Sequence, residues 1–205
     1  MKLSTLAALA LLSAAPAFAA GPVFTVDFEK TWDYTNGRVD GYYNGGTAAD
    51  GSTGTNLGLA FVGVSGLSND INFTYYTNAP SPQGVAYVFD TAAYINVAAG
   101  VANNLTFSYA STSAVVGAVK AYAGLNGTGA LLGSMNLVAN NASSYDVWTA
   151  KTFGFSGTAL SFDLGAGAGA LAFDNVSAVP ETSAVLQMLM GGIALLALSI
   201  RRRAR

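Results

Sequence analysis

The chain of 205 residues contains no cysteine and no histidine. Without cysteine there is no disulfide bond and no thiol nucleophile, so stability has to come from packing and backbone hydrogen bonds. Without histidine, the commonest general base and the commonest zinc ligand are missing. These two absences exclude serine–histidine and cysteine–histidine catalytic systems, and they favour a protein that is not an enzyme.

Charged residues are also scarce, at 10% of the chain. Between residues 20 and 179, four basic side chains stand against ten acidic ones, which gives this part a net charge of −6. A basic surface for nucleic acid is therefore not expected. Glu29 is the only glutamate in the same stretch, so the carboxylate pair of a glycosidase would need an aspartate, and no spacing identifies one. A polysaccharide hydrolase or lyase is the weakest functional hypothesis.

The long apolar runs lie at the two ends of the chain. Lys2 precedes the apolar stretch Leu3–Leu12, and Ala17-Phe18-Ala19 fits a signal-peptidase site, so residues 1–19 are predicted to be a signal peptide. Residues 184–200 carry no charge and would form roughly 25 Å of transmembrane helix. The positive-inside rule would keep the residues that follow in the cytoplasm, namely Arg201, Arg202, Arg203 and Arg205. The alternatives are a retained N-terminal membrane helix and a buried C-terminal helix.

This arrangement predicts an exported domain at residues 20–178 and a three-part tail at residues 179–205. The tail begins with Val179, Pro180, Glu181, Thr182 and Ser183. Followed by the apolar span and the arginines, these residues resemble the PEP-CTERM sorting signal of Gram-negative bacteria. The resemblance implies recognition by exosortase, a membrane-embedded enzyme of the transpeptidase type, and a destination at the cell surface or in the extracellular matrix. Thr182 stands where the family has a second proline, which leaves the processing step open.

The exported domain is rich in short segments that alternate apolar and polar residues, and it has no convincing amphipathic helix. The pattern predicts roughly nine to eleven antiparallel strands in a β-sandwich, most simply a jelly roll. Asn126-Gly127 predicts a tight turn, and hence a hairpin between the strands on either side of it. The predicted strands are residues 24–28, 57–64, 71–76, 85–89, 105–109, 115–122, 131–138, 147–155, 160–164 and 171–176.

Four segments of this domain resemble bacterial secreted β-sandwich domains that are often found upstream of PEP-CTERM tails. They are residues 42–47, 50–58, 155–159 and 173–176. The resemblance implies a fold and a cell-surface setting, and the family has no agreed activity.

The resemblance also suggests a structural calcium ion between the first and last strands, as in many carbohydrate-binding jelly rolls. Its carboxylate ligands would be Glu29 and Asp174, with Asp27 and backbone carbonyl groups as helpers. Calcium takes six to eight oxygen ligands, so solvated strand residues are the alternative interpretation. The glycine-rich loop 40–56 is either a second calcium or ligand loop, or a loop folded over one edge of the sandwich.

Aromatic residues are the candidates for ligand binding, because exposed rings stack on sugars. The candidates are Tyr42, Tyr43, Tyr76 and Trp148, with ordinary core packing as the alternative for each. Adjacent aromatic residues on a strand point to opposite faces, so one of Tyr75 and Tyr76 is expected to face outward. The leading hypothesis is a non-enzymatic protein of adhesion, biofilm or exopolysaccharide matrix, and a carbohydrate-binding module is the alternative.

Overall fold

The computed structural model describes residues 24–178, and these residues form an all-β structure. The helical segments among them are two short 3₁₀ turns at Leu125–Gly127 and Gly165–Gly167. The strands are β1 (Phe24–Val26), β2 (Leu59–Val62), β3 (Val64–Leu67), β4 (Val85–Val88), β5 (Tyr94–Ser111), β6 (Val115–Tyr122), β7 (Leu131–Leu137), β8 (Thr149–Asp163) and β9 (Leu171–Ala178).

All the strands in the described part belong to one antiparallel hydrogen-bonded network, in the order β3-β4-β9-β5-β8-β6-β7. β1 pairs with β9, and β2 pairs with β5. The beginning of β5 lies between β2 and the end of β8, whereas its second half lies between β9 and the beginning of β8. The end of β8 pairs in turn with β6. Because β5 and β8 change partners along their length, the network folds into two sandwich-like layers that share these two strands.

Two residues in the middle of β5 allow it to pass between the layers. Gly100 has φ 78° and Asn103 has φ 69°, a left-handed conformation that glycine and asparagine adopt more readily than other residues. The register with β8 shifts at the same place, between Asn96 and Val101 and again between Ala102 and Asn104. Bulges of this kind bend a strand and increase its twist.

Side chains from both layers meet in one hydrophobic core. A small apolar cavity shows the contact directly, since Ile95 from the first half of β5 and Val119 from β6 line it together with Leu171, Phe173 and Val176 of β9. Each large apolar side chain that is fully buried in this way contributes roughly 1.5–3 kcal/mol. The burial of both inner faces holds the layers together without a disulfide.

The loop between β1 and β2 covers two strand edges. Val39 donates its backbone N–H to the carbonyl of Val64 on β3 at 3.0 Å, and Phe61 on β2 donates to the carbonyl of Asp40 at 2.8 Å. Lys30 forms an ion pair with Asp50 further along the loop. The interpretation of residues 40–56 as a glycine-rich loop folded over an edge is therefore confirmed.

The all-β, antiparallel prediction is confirmed, and the hairpin of β6 and β7 forms as expected. Asn126 and Gly127 have φ of 53° and 69°, the positive values that a tight Asn-Gly turn needs. The N–H of Thr128 closes this turn on the carbonyl of Leu125 at 3.2 Å. The register then runs from Tyr122 opposite Leu131 to Val115 opposite Leu137.

Five of the strand predictions are wrong in detail. Residues 71–76 form no strand; they belong to a loop in which Ile71 is exposed and only Tyr76 makes an isolated bridge, to Tyr145. The predicted strand 57–64 is divided at Gly63, where φ is 62°, into β2 and β3. The two strands predicted at 147–155 and 160–164 are parts of β8, and β5 begins well before the predicted residue 105.

The predicted signal peptide at 1–19 and the sorting tail at 179–205 lie outside the described residues. Within residues 24–178, no helix has the length and apolar character needed to cross a lipid bilayer.

Candidate functional site

The acidic residues predicted as calcium ligands lie near one another, around the loop that connects β3 and β4. Asp174 on β9 is 0% exposed. The backbone N–H of Ser81 in this loop donates to Asp174 Oδ2 at 2.8 Å, and that of Asn175 donates to Oδ1 at 2.7 Å. The Ser81 hydroxyl lies 2.6 Å from the carbonyl oxygen of Asp27, just after β1. Asp174 and Ser81 thus connect the end of β1, β9 and the loop between β3 and β4.

The Ser81 hydroxyl has one proton to donate, but three acceptor oxygens lie within hydrogen-bond distance of it. Ser81 Oγ lies 2.7 Å from Oδ1 and 2.8 Å from Oδ2 of Asp174, in addition to its contact with the Asp27 carbonyl. A proton on Asp174 resolves the conflict, because the acid then donates to Ser81 Oγ and Ser81 donates to the carbonyl. Burial acts in the same direction, since it raises the pKa of Asp174 despite the opposing hydrogen bonds from Ser81 and Asn175.

Glu29 anchors the next part of the same loop. Its Oε1 accepts the backbone N–H groups of Gln83 at 2.8 Å and Gly84 at 3.2 Å. Tyr76 lies near this cluster, and its pKa is raised to about 12. Burial is the largest cause, and the negative charges of Glu29 and Asp174 add to it. Asp174 and Glu29 therefore organise the loop by accepting its backbone N–H groups, whereas Asp27 contacts it through its backbone carbonyl.

This donor set is a poor match for calcium. Calcium needs carboxylate oxygens that are free to coordinate it, whereas both oxygens of Asp174 and one oxygen of Glu29 already accept N–H groups. Within residues 24–178, no three acidic side chains are grouped as metal ligands. Asp174 is better explained as a buried hydrogen-bond anchor, and calcium binding by Asp27 and Glu29 stays a prediction.

Two of the four aromatic residues predicted to bind ligand are in the core, so this part of the prediction is wrong. Tyr43 is 6% exposed and Tyr76 is 4% exposed, which leaves no ring face for a sugar. Tyr43 packs edge-on against Phe28, with ring centroids 5.8 Å apart. The Tyr43 ring thus points inward and attaches the glycine-rich loop to the core.

The other two candidates are half-buried and packed against neighbouring side chains. Tyr42 meets the ring of Trp32 edge-on at 5.3 Å. The indole N–H of Trp148 donates to the carbonyl of Thr77 at 3.0 Å, and its ring packs edge-on against Tyr76 at 6.4 Å. These contacts hold the two rings against neighbouring loops and leave each of them only partly exposed.

An exposed aromatic group lies elsewhere, where the loop after β1 meets the loop after β3. Tyr34 is 71% exposed and stacks on Tyr75, with ring centroids 5.3 Å apart and planes inclined by only 17°. Phe73 is 59% exposed and tilts against the same tyrosine at 4.7 Å. We refer to Tyr34, Phe73 and Tyr75 as the aromatic platform. One of Tyr75 and Tyr76 was expected to face outward, and the structure shows that it is Tyr75, whereas Tyr76, the predicted ligand-binding residue, is buried.

Asx turns hold both loops of the platform. Asp33 Oδ1 accepts the backbone N–H groups of Thr35 and Asn36, which follow Tyr34, at 2.7 and 2.8 Å. Asp70 Oδ1 accepts those of Asn72 and Phe73 at 2.7 and 2.8 Å. Local bonds of this type fix a loop without help from a sheet. The rings are therefore presented by a preorganised backbone, which lowers the entropy cost of binding.

Asn69 anchors the end of the platform nearest the core. Its Oδ1 accepts the backbone N–H groups of Tyr75 at 2.9 Å and Tyr76 at 3.2 Å, while its Nδ2 donates to the Tyr76 carbonyl at 2.8 Å. One asparagine side chain thereby fixes the point at which one tyrosine turns outward and the next turns inward.

A second surface feature is a shallow groove on the outside of β5, β8 and β9. Its lining includes the polar side chains Thr106, Ser108, Thr152 and Asn175, with Lys151 at its border. The register shift between β5 and β9 falls beside it, where Asn175 has φ 50°. The groove offers hydroxyl and amide groups, but no exposed ring.

Sequence reasoning missed the platform because it assigned residues 71–76 to a strand. The signal that could have revealed the loop is the pair Asn69-Asp70 with Asn72 and Asn78 close behind, since these residue types favour turns over strands. No model of a known protein family matches this chain, and a comparison with curated proteins finds no match.

Proposed function

We propose that this chain is an exported, non-enzymatic protein of the cell surface or extracellular matrix, and that its β domain binds polysaccharide through the aromatic platform. The observation that carries the proposal is the stacked set of Tyr34, Tyr75 and Phe73, in which the rings of Tyr34 and Phe73 are exposed, on two loops fixed by Asx turns. Aromatic faces pack against the C–H faces of pyranose rings, and a soluble domain rarely leaves several large rings exposed together.

The charges around the platform favour a neutral polymer. Asp33 and Asp70 lie at the bases of its two loops, and Asp70 acts electrostatically on Tyr75. Residues 20–179 also carry a net charge of −6. A polyuronate or sulfated chain would be repelled at low salt, whereas a neutral glucan would not be.

Replacing Tyr34 with alanine should weaken binding to a soluble neutral glucan about tenfold, because it removes the most exposed stacking face. Tyr34→Phe keeps the ring and should bind like the wild type. Affinity electrophoresis in gels containing the glucan, and parallel gels containing a polyuronate, would measure the difference.

The matched control is Phe89→Ala, which removes an exposed ring at the opposite end of β4 from the platform loop. It should leave the mobility shift unchanged. Equal retardation of Tyr34→Ala and the wild type, or a loss of binding in Phe89→Ala as well, would contradict the platform as the binding site.

The proposed route to the surface rests on the two ends of the chain. Residues 1–19 would direct export, residues 184–200 would form a single transmembrane helix, and the terminal arginines would remain in the cytoplasm. An exosortase-type enzyme would then recognise Pro180 and Glu181.

The pairing of β1 with β9 places the first and last strands side by side, and this supports a jelly-roll topology for the domain.

Mass spectrometry of the mature protein from its native cell should find Ala20 at the N-terminus and a C-terminus near Glu181. A replacement of Glu181 with alanine should leave the tail intact through Arg205. If the wild-type protein itself retains Arg205, the tail is a permanent anchor and sorting by cleavage is wrong.

A further inference from the structure

Five asparagine residues of this chain begin an Asn-X-Ser/Thr sequence, the acceptor sequence for N-linked sugars in exported proteins. They are Asn72, Asn104, Asn126, Asn141 and Asn175. The acceptor sequence requires two side chains, the asparagine amide and the hydroxyl two residues later, and an enzyme has to reach both. The structure separates the five sites by whether these two groups are accessible and free.

Two of the sites are parts of the sheet. Asn104 lies on β5 and Asn175 on β9. The hydroxyl that belongs to the first site, on Thr106, donates to the carbonyl of Ser177 at 3.2 Å. The hydroxyl of the second site, on Ser177, accepts from the hydroxyl of Thr25 at 3.2 Å. Neither acceptor sequence can enter an enzyme without disturbing the strands.

Two further sites are used by loops and turns of the fold. Asn126 Oδ1 accepts the side-chain N–H of Asn96 at 2.7 Å, and the Thr128 hydroxyl donates to the carbonyl of Leu125 at 2.8 Å. Asn141 is buried, and its amide donates to a backbone carbonyl at 2.9 Å. In both sites the amide already has a structural role.

Asn72 differs from the other four sites in exposure and in bonding. It lies in the loop between β3 and β4, within a run of exposed residues from 69 to 74. Its neighbour Ile71 is 99% exposed. Within residues 24–178, neither the Asn72 amide nor the Thr74 hydroxyl takes part in a hydrogen bond. Both groups that the acceptor sequence requires are therefore free.

The backbone of this loop is fixed without the two side chains. The backbone N–H of Asp70 donates to the carbonyl of Phe73 at 3.1 Å, and Asp70 Oδ1 accepts the N–H groups of Asn72 and Phe73. The segment belongs to no strand. An enzyme can therefore bind it without opening a sheet, as is usual for sites on surface loops.

We propose that Asn72 is an N-glycosylation site, modified after export by an oligosaccharyltransferase that uses an oligosaccharide linked to a lipid diphosphate. The bond between C1 of the first sugar and the diphosphate oxygen breaks, and a bond between C1 and Asn72 Nδ2 forms. The lipid diphosphate leaves with the electron pair, and the amide loses one proton. This inference rests on the export step of the proposed function.

Peptide mapping by mass spectrometry of the protein from its native cell tests the site. The wild-type peptide that contains residue 72 should carry the added mass of an oligosaccharide, and Asn72→Gln and Thr74→Ala should both lose it. Thr74→Ser keeps the hydroxyl and should keep the added mass. Asn126→Gln is the matched control at another exposed turn, and it should leave the modification of residue 72 unchanged.

The state of the N-terminus separates failure of this inference from failure of export. An unmodified residue 72 in a chain that begins at Ala20 would overturn glycosylation and leave export standing. A chain that still begins at Met1 would overturn export, and glycosylation with it. Retention of the added mass in Asn72→Gln would place the sugar on another residue and would also overturn the assignment.

Discussion

Replacing Phe28 with alanine should lower the free energy of unfolding by about 4 kcal/mol, near the upper part of the range for large-to-small core substitutions. Phe28 is completely buried and makes edge-on contacts with three rings, Tyr43 at 5.8 Å, Phe61 at 5.7 Å and Phe173 at 5.5 Å. Tyr43 belongs to the loop between β1 and β2, Phe61 to β2 and Phe173 to β9. A cavity at this position would therefore loosen three segments at once.

The contacts of the Phe28 ring also offset a strained backbone conformation. Its φ of 56° is unusual for a bulky residue, and the aromatic contacts have to stabilise that conformation. Alanine keeps the strained φ and loses the contacts. Since a domain of this kind has only about 5–15 kcal/mol of stability in total, the variant should unfold at much lower urea concentration.

Urea unfolding followed by tryptophan fluorescence would measure the change. Phe28→Leu keeps much of the volume and should lose about 1.5 kcal/mol, which gives a usable value if the alanine variant fails to fold. Phe89→Ala removes an exposed ring and should lie within about 0.5 kcal/mol of the wild type. A loss of less than about 1 kcal/mol in Phe28→Ala would show that this aromatic cluster does not hold the loop to the core.

Asp174→Ala should cost about 3 kcal/mol, because it leaves two buried backbone N–H groups, those of Ser81 and Asn175, without their acceptor. Asp174→Asn keeps the volume and one acceptor oxygen, so it should cost less than the alanine variant. Asp146→Asn, at an exposed position, should have almost no effect.

The difference in stability between the wild type and Asp174→Asn should depend on pH. Burial raises the pKa of Asp174 in the folded state, so the folded protein holds this proton more tightly than the unfolded chain does. The contribution of Asp174 is therefore largest below the unfolded pKa and is lost as the pH rises through the folded pKa. Wild-type stability should fall relative to Asp174→Asn as the pH rises from about 4 towards neutrality.

Unfolding curves collected from acid to neutral pH, with calcium and with a chelator, would test this assignment. Glu29 is the other acidic group that acts on Asp174, and it lies in the loop after β1. A stability difference that is flat with pH would contradict a protonated anchor. A rise in melting temperature with calcium that disappears in Asp174→Asn would restore the calcium hypothesis for this cluster.

The sequence predicted the class of the fold well because that class depends on local patterns. Alternation of apolar and polar residues located β1, β4, β6, β7 and β9, and Asn126-Gly127 located the turn between β6 and β7. Such signals need only a few neighbouring residues, since strand periodicity and positive φ are properties of short segments. The same local signals failed where apolar residues sit in a loop, as at residues 71–76.

The site was harder to predict because burial is a long-range property. Tyr75 and Tyr76 are adjacent and chemically identical, yet one joins an exposed stack and the other packs beside Trp148. Asp174 and Glu29, which were predicted as calcium ligands, both contact the loop between β3 and β4, and calcium binding itself stays a prediction. Their partners, Ser81 and the N–H groups of Gln83 and Gly84, are more than 50 residues from Glu29 or Asp174, and no spacing indicates them.

Composition and periodicity alone therefore determined that this chain has an all-β, antiparallel domain without disulfides, because absent residue types and short-range alternation are independent of tertiary contacts. Tertiary structure decided which rings are exposed and which carboxylate is buried. Both depend on segments that are distant in sequence and meet in space: Tyr43 of the loop between β1 and β2 packs against Phe28, and Ser81 of the loop between β3 and β4 donates its backbone N–H to Asp174 on β9.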